Sequence, residues 1–276
     1  MNKMFKKRLV GLFILLALLI FTSGCINNKE DKFIDSNTSL TNYGNKTTNN
    51  NNKILIHDDF VDGRYDDWIV ESNKWDGKYF RSPIPEMDKE KDDLRFTVKG
   101  GASAGSPDSL SKIYYKSRNR LSYGTYTARF KINRVPTDNM NDQVYFGMGL
   151  WEFGKKNDQA NEVMMGYYLI YNEMKNKWDD RLQILTRRDG GHSKVSQYDP
   201  DLTASAFVNT FHTIEFIYTP DKVVGIFDGK PVLEKTDYIP SAPMSLIIGT
   251  RLAEGTPLSE DFDVTFDYVR INANIK

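Results

Sequence analysis

Tyr126-Thr127-Ala128-Arg129-Phe130-Lys131-Ile132 alternates apolar and polar residues without a break. Successive side chains of a strand point to opposite faces. Tyr126, Ala128, Phe130 and Ile132 therefore share one face, and Thr127, Arg129 and Lys131 share the other. Phe262, Val264, Phe266 and Tyr268 repeat the rule near the C-terminus. Outward from these two stretches, strand-length segments recur between clusters of Gly, Pro, Asn and Asp. They fall at 94–98, 111–115, 124–133, 144–153, 163–172, 181–187, 211–219, 222–227, 244–250 and 262–271. Asp228-Gly229, between Ile226-Phe227 and Pro231-Val232-Leu233, reads as a hairpin turn because Gly supplies a positive φ. No long segment carries helical periodicity, and no internal repeat is present. The fold expected is all-β: a two-sheet antiparallel sandwich of jelly-roll type spanning residues 54–276.

Bulk composition narrows the function. The chain has 276 residues, 39% hydrophobic and 27% charged, an ordinary globular balance. Its 37 basic and 37 acidic side chains give no net charge, which argues against a nucleic-acid partner. Aromatic residues at 13% suit strands and also suit surfaces that stack on sugars. Cys25 is the single cysteine, so neither an intrachain disulfide nor a cysteine-based metal site can form.

The first residues read as an address. Lys3, Lys6, Lys7 and Arg8 form a basic head, residues 9–21 an apolar run, and Thr22-Ser23-Gly24 a small-residue approach to Cys25. The layout resembles a prokaryotic lipoprotein signal over residues 1–24, with Thr22 where Leu is usual. It implies cleavage before Cys25, a diacylglyceryl group on its sulfur, and anchoring to the outer face of the cell membrane. An uncleaved anchor helix is the alternative. Residues 25–53 hold few large apolar groups and many Asn, Thr, Lys and Ser, so a disordered tether is expected. Asn37-Thr38-Ser39 and Asn45-Lys46-Thr47 on that tether are N-glycosylation patterns at Asn37 and Asn45.

Three segments carry a resemblance to a family. They are 121–131, which includes Tyr123-Gly124-Thr125-Tyr126, then Phe211-His212-Thr213-Ile214-Glu215-Phe216 running through Thr219-Pro220-Asp221 to Asp228-Gly229, and the closing Phe266-Asp267-Tyr268-Val269-Arg270-Ile271. Together they resemble the concanavalin A-like lectin and glucanase superfamily, most nearly glycoside hydrolase family 16, the laminarinase and lichenase group. The resemblance implies a catalytic strand reading E-x-D-x-E, or E-x-D-x-x-E with a bulge. On such a strand one Glu is the nucleophile, the other the acid/base, and the Asp modulates both. Retaining hydrolysis needs the two carboxyl groups about 5–5.5 Å apart.

Asn161-Glu162-Val163-Met164-Met165-Gly166-Tyr167 occupies that place with one carboxylate. Glu162 stands at the nucleophile position and Met164 at the Asp. Gly166 stands at the acid/base in the unbulged register, Tyr167 in the bulged one. Neither a thioether nor a phenol replaces a tuned carboxylic acid near neutral pH. Glu152, Asp158 and Glu173 are the carboxylates that a shifted register would recruit. Trp151, Trp178, Trp75, Tyr198 and Tyr167 are the candidates for contact with sugar. No cofactor is expected, apart from the structural calcium that some relatives carry, for which Asp59 and Asp267 are the candidate ligands. The function expected is a lipid-anchored, noncatalytic binder of a polysaccharide or glycoconjugate. The alternatives are an atypical family 16-like hydrolase or transglycosylase acting on β-glucan-type polysaccharide, and a structural envelope or adhesion component.

Overall fold

A computed structural model describes residues 47–49, 53–60, 67–70, 72–75, 78–81, 84–88, 93–116, 120–135, 143–155, 159–172, 177–192, 195–198, 208–254 and 257–275. Cys25, Asn37, Asn45, Asp158 and Glu173 lie outside them.

The described residues build two large sheets, their strands numbered in chain order. The first runs β1 (Thr47–Asn49), β2 (Lys53–Asp58), β19 (Phe262–Ile275), β9 (Leu121–Arg134), β15 (Phe211–Tyr218), β16 (Val223–Phe227), β17 (Lys230–Lys235). On it, β7 (Asp93–Val98) joins β19 and β6 (Glu86–Asp88) joins β7. The second runs β13 (Gly191–His192), β12 (Lys177–Arg188), β11 (Glu162–Asn172), β10 (Gln143–Trp151), β18 (Ser245–Glu254), β8 (Leu110–Tyr115), β3 (Trp68–Val70), with β14 (Ser196–Tyr198) on β12. A separate hairpin pairs β4 (Ser72–Trp75) with β5 (Lys78–Arg81). This is a two-sheet antiparallel sandwich.

Alternation places the core between the sheets. Tyr126, Ala128, Phe130 and Ile132 are buried on β9, as are Phe262, Val264 and Phe266 on β19. Across the gap, Val163, Met165, Tyr167 and Leu169 are buried on β11, and Val144, Phe146, Met148 and Leu150 on β10. Phe130 of the first sheet meets Phe146 and Tyr167 of the second at ring-centroid distances of 5.1 and 5.6 Å. Burying each such side chain contributes about 1.5–3 kcal/mol. Tyr126 stacks on Phe216 at 4.8 Å and its hydroxyl donates to the Ser122 carbonyl at 2.5 Å, so the one polar atom it brings inside is satisfied. The Asp228-Gly229 turn has φ of 46° and 76°, both left-handed, as a two-residue hairpin of the I′ type requires.

Two differences from the sequence reading concern the edges. The last part of the expected tether, Thr47–Asn49, pairs antiparallel with β2, covering backbone groups that an edge strand would leave open. The short strands β3 to β6, β13 and β14 run two to four residues, too few to show a period in sequence.

Candidate functional site

The ladders on either side of β11 fix which residues share the outward face of the second sheet. In register, Glu162 lies between Trp151 of β10 and Arg187 of β12. Two residues along, Met164 lies between Gly149 and Leu185, and then Gly166 between Gly147 and Gln183. The ladder from β10 to β18 and β8 extends the same face, setting Gly147 opposite Gly249 and Gly249 opposite Lys112. Tyr145 lies opposite Arg251 on this face. No register shift interrupts β10 and β11. The unbulged register therefore holds, and the face carries Glu162, Met164 and Gly166 where E-x-D-x-E would carry three acids.

Glu162 is fully buried, and among the described residues neither of its carboxyl oxygens has a hydrogen-bond partner. Arg187 Nε stands 3.6 Å from Oε2, close enough for an ion pair and too far for a good hydrogen bond. Loss of water raises the carboxyl from 4.5 to about 7, against the pull of Arg187, Arg251 and Lys112, which lowers it. The attraction of a long ion pair does not offset desolvation here. Arg187 in turn lies over the Trp151 ring at 5.8 Å. Lys112, Arg187, Arg251 and Tyr145 are each at least nine-tenths buried. Phe153, just beyond β10, packs on Tyr114 of the same face at 4.8 Å.

Tyr145 fills the place that an acid/base would need. A Cβ on Gly166 would collide with the Tyr145 hydroxyl and would stand 2.5 Å from the Phe146 carbonyl oxygen. Burial, and secondarily Glu162, push the Tyr145 phenol far above its ordinary value, so it stays protonated and can donate a hydrogen bond without releasing its proton.

The other candidates are scattered. Tyr167 is a core residue, 0% exposed and stacked on Phe146 at 5.4 Å, and not a sugar contact. Without a bulge, its odd-numbered neighbours Val163 and Met165 share its inward face. Tyr198 is exposed on β14, opposite Leu182, so its register position belongs to the inward row and not to the row of Glu162. Trp75 lies on β4 and Trp178 on β12; only their backbone paths are described. The Glu152 carboxylate accepts a hydrogen bond from Asn161 Nδ2 at 2.7 Å, and Asn161 also donates to Asp189 at 3.3 Å. Asp267 is the extra residue at a bulge where β19 meets β9, and Arg129 Nη1 donates to its carboxylate at 2.7 Å. Among the described residues no group of three or more His, Cys, Asp or Glu side chains could hold a metal ion.

Sequence reasoning missed Lys112, Tyr145, Arg187 and Arg251 because they come from four different strands. One signal was present: glycines inside strands, as at Gly147 and Gly149, mark close approach of other groups.

No family model and no curated protein matches the chain. Solved structures do. A β-glucanase from Bacillus licheniformis superposes with a TM-score of 0.56 at 15% identity, over 79% of this chain and 97% of that one. The fold is that of the family 16 glucanases. The laminarinase catalytic domain from Thermotoga maritima gives 0.57 at 14% identity, over 80% and 97%. The Crh5 transglycosylase gives 0.54 at 16% identity, over 79% and 84%. Within this glucanase-like sandwich, Glu162 lies on the outward face of a sheet whose core-facing residues alternate with it.

Proposed function

We propose that the chain is a lipid-anchored, cell-surface protein whose sandwich binds polysaccharide without cleaving it by the two-carboxylate route. One observation carries the noncatalytic part. Glu162 is fully buried, and among the described residues the groups whose charges act on it are three cations, with no second carboxyl among them. Retaining hydrolysis needs two carboxyl groups about 5–5.5 Å apart, and loss of the general acid alone costs about 10²–10⁴-fold. Polysaccharide as partner is supported by the glucanase fold and by Trp151, half-buried beside Glu162 and Arg187. The anchor is supported by the basic head, the apolar run and the placement of Cys25.

Glycan-array binding of the full-length chain, with mass spectrometry of the glycans after incubation, tests both parts. Binding with glycans of unchanged length is expected. Shorter oligosaccharides would establish the hydrolase reading, and oligosaccharides of rearranged length the transglycosylase reading. Absence of any binding would leave the envelope or adhesion role, which the burial of Glu162, Lys112 and Arg251 favours. Cys25→Ser should move the chain from the membrane to the soluble fraction; retention in the membrane would refute lipid attachment.

A further inference from the structure

The outward face of the second sheet has a floor of glycines, and side chains cover it: Tyr145 lies over Gly166, Met164 over Gly149 and Lys112 over Gly249. The outer edge of the same sheet is open. β11 pairs with β12 from Lys177 to Arg187, so β13 and β14 share the other side of β12. Two aromatic side chains stand exposed at that edge, Tyr238 at 47% and Tyr198 at 36%.

Tyr238 follows β17, which packs against β12 and β14. Its ring lies against Gly191 of β13, where a Cβ would come within 2.8 Å of the ring. Its φ is 51°, in the left-handed region that bulky side chains rarely adopt. Strain of this kind gathers at ligand-binding positions. The surface beneath the ring is rigid. Asp189 and Gly190, at φ of 49° and 81°, make a two-residue hairpin of the I′ type between the paired Arg188 and Gly191. Gly190 N donates to the Ala160 carbonyl at 3.2 Å. Asn161 accepts from Asp189 N at 3.2 Å and donates to the Asp189 carboxylate at 3.3 Å. The ring is therefore positioned before a ligand arrives, which lowers the ordering cost of binding.

Tyr198 lies opposite Leu182, six positions along β12 from Arg188, the partner of Gly191. Six positions span about 20 Å of strand. His192 and Gln197, on the edge between the two rings, are exposed and polar. Beside Gly191 the Arg188 and Asp189 side chains are also exposed, at 59% and 80%. A stable protein interface needs a continuous patch with a desolvated centre. Two rings set apart by polar groups suit instead an extended chain whose units each offer an apolar face and a rim of hydroxyls. Tyrosine meets both needs with a flat apolar ring and a polar tip.

We propose that Tyr238 and Tyr198 form a track for a polysaccharide chain along the outer edge of the second sheet, away from the face that carries Glu162. The inference rests on polysaccharide binding as proposed above and adds a surface for it.

The test is isothermal titration of the full-length chain with three polymers, a β-1,3-glucan, a β-1,3-1,4-glucan and a sulfated galactan. Tyr238→Asn removes one ring and leaves a residue that tolerates the left-handed backbone. Tyr198→Ala removes the other ring. Each should weaken binding of the polymer that the parent binds by about tenfold, and Tyr238→Phe should leave it within about twofold. The double variant should lose more than either single one, because a chain that bridges two platforms gains from both. Thermal melting of each variant confirms that it folds. Unchanged affinity in either folded single variant overturns the inference while polysaccharide binding stands. Absence of binding by the parent to all three polymers overturns both and leaves the two rings to a protein partner.

Discussion

Replacing Glu162 by Gln isolates the single described carboxyl on the floor of the second sheet. Burial raises this group from 4.5 to about 7. The sign follows from proton counts. Between those pH values the folded protein holds a proton that the unfolded chain has released, so stability falls as pH rises. The contribution is fully present below about 4.5 and is lost as pH passes 7. The gap of about 2.5 pH units, at 1.36 kcal/mol each, is roughly 3 kcal/mol. In a domain of this size 1 kcal/mol moves the melting temperature by about 2–4 °C, so the full effect is roughly 6–12 °C.

Gln has the shape of the protonated carboxyl and cannot ionise. E162Q should therefore melt with the parent near pH 4.5 and progressively above it as pH rises to 8.5. Calorimetry or circular-dichroism melting of both proteins across that range, at constant ionic strength, supplies the curves. Other titrating groups move both curves together, so the difference between them is the readout. The reasoning is refuted if the difference stays flat. It is refuted more sharply if E162Q drops below the parent at high pH, because the three cations would then outweigh desolvation and the carboxylate would be a stabilised ion.

Three further substitutions probe the frame around the site. Gly166→Ala should cost about 1–3 kcal/mol by forcing its Cβ against Tyr145 and the Phe146 carbonyl. Tyr145→Ala should recover part of that loss, and a double-mutant cycle by urea denaturation with no coupling would show that Tyr145 does not occupy the space. Tyr126→Phe strands the Ser122 carbonyl that the buried hydroxyl satisfies and should cost about 1–2 kcal/mol in the same assay; an unchanged midpoint would mean that water replaces it.

The fold was legible because its central strands are long and one-sided. On β9, Tyr126 to Ile132 alternate so regularly that burial can be assigned residue by residue, and the observed pattern follows that assignment except at Thr127, which is buried and donates to Glu215. The same logic, applied to β11 without a bulge, puts Glu162 outward and Tyr167 inward. Tyr167 was misplaced only where an irregularity was allowed that the β10–β11 ladder lacks. The charged floor was not legible. Lys112, Tyr145, Arg187 and Arg251 are separated by up to 139 positions and meet only through the ladder order β12-β11-β10-β18-β8. A local motif cannot record a meeting of that kind, and each residue alone reads as an ordinary polar position on a strand.

On the noncatalytic reading, the difference from a two-carboxylate hydrolase is spatial as well as chemical. If only a proton donor were lacking, restoring Asp at 164 and Glu at 166 would suffice. Yet position 166 has no room for a side chain while the Tyr145 ring lies over it. Glu162 has no exposed surface through which a sugar could approach it as the face is arranged. A nucleophile must reach the anomeric carbon at near-contact distance, within roughly 3–3.5 Å. On the noncatalytic reading proposed above, the burial of Glu162 and the Tyr145 ring over position 166 would both have to be relieved before restored acids could act.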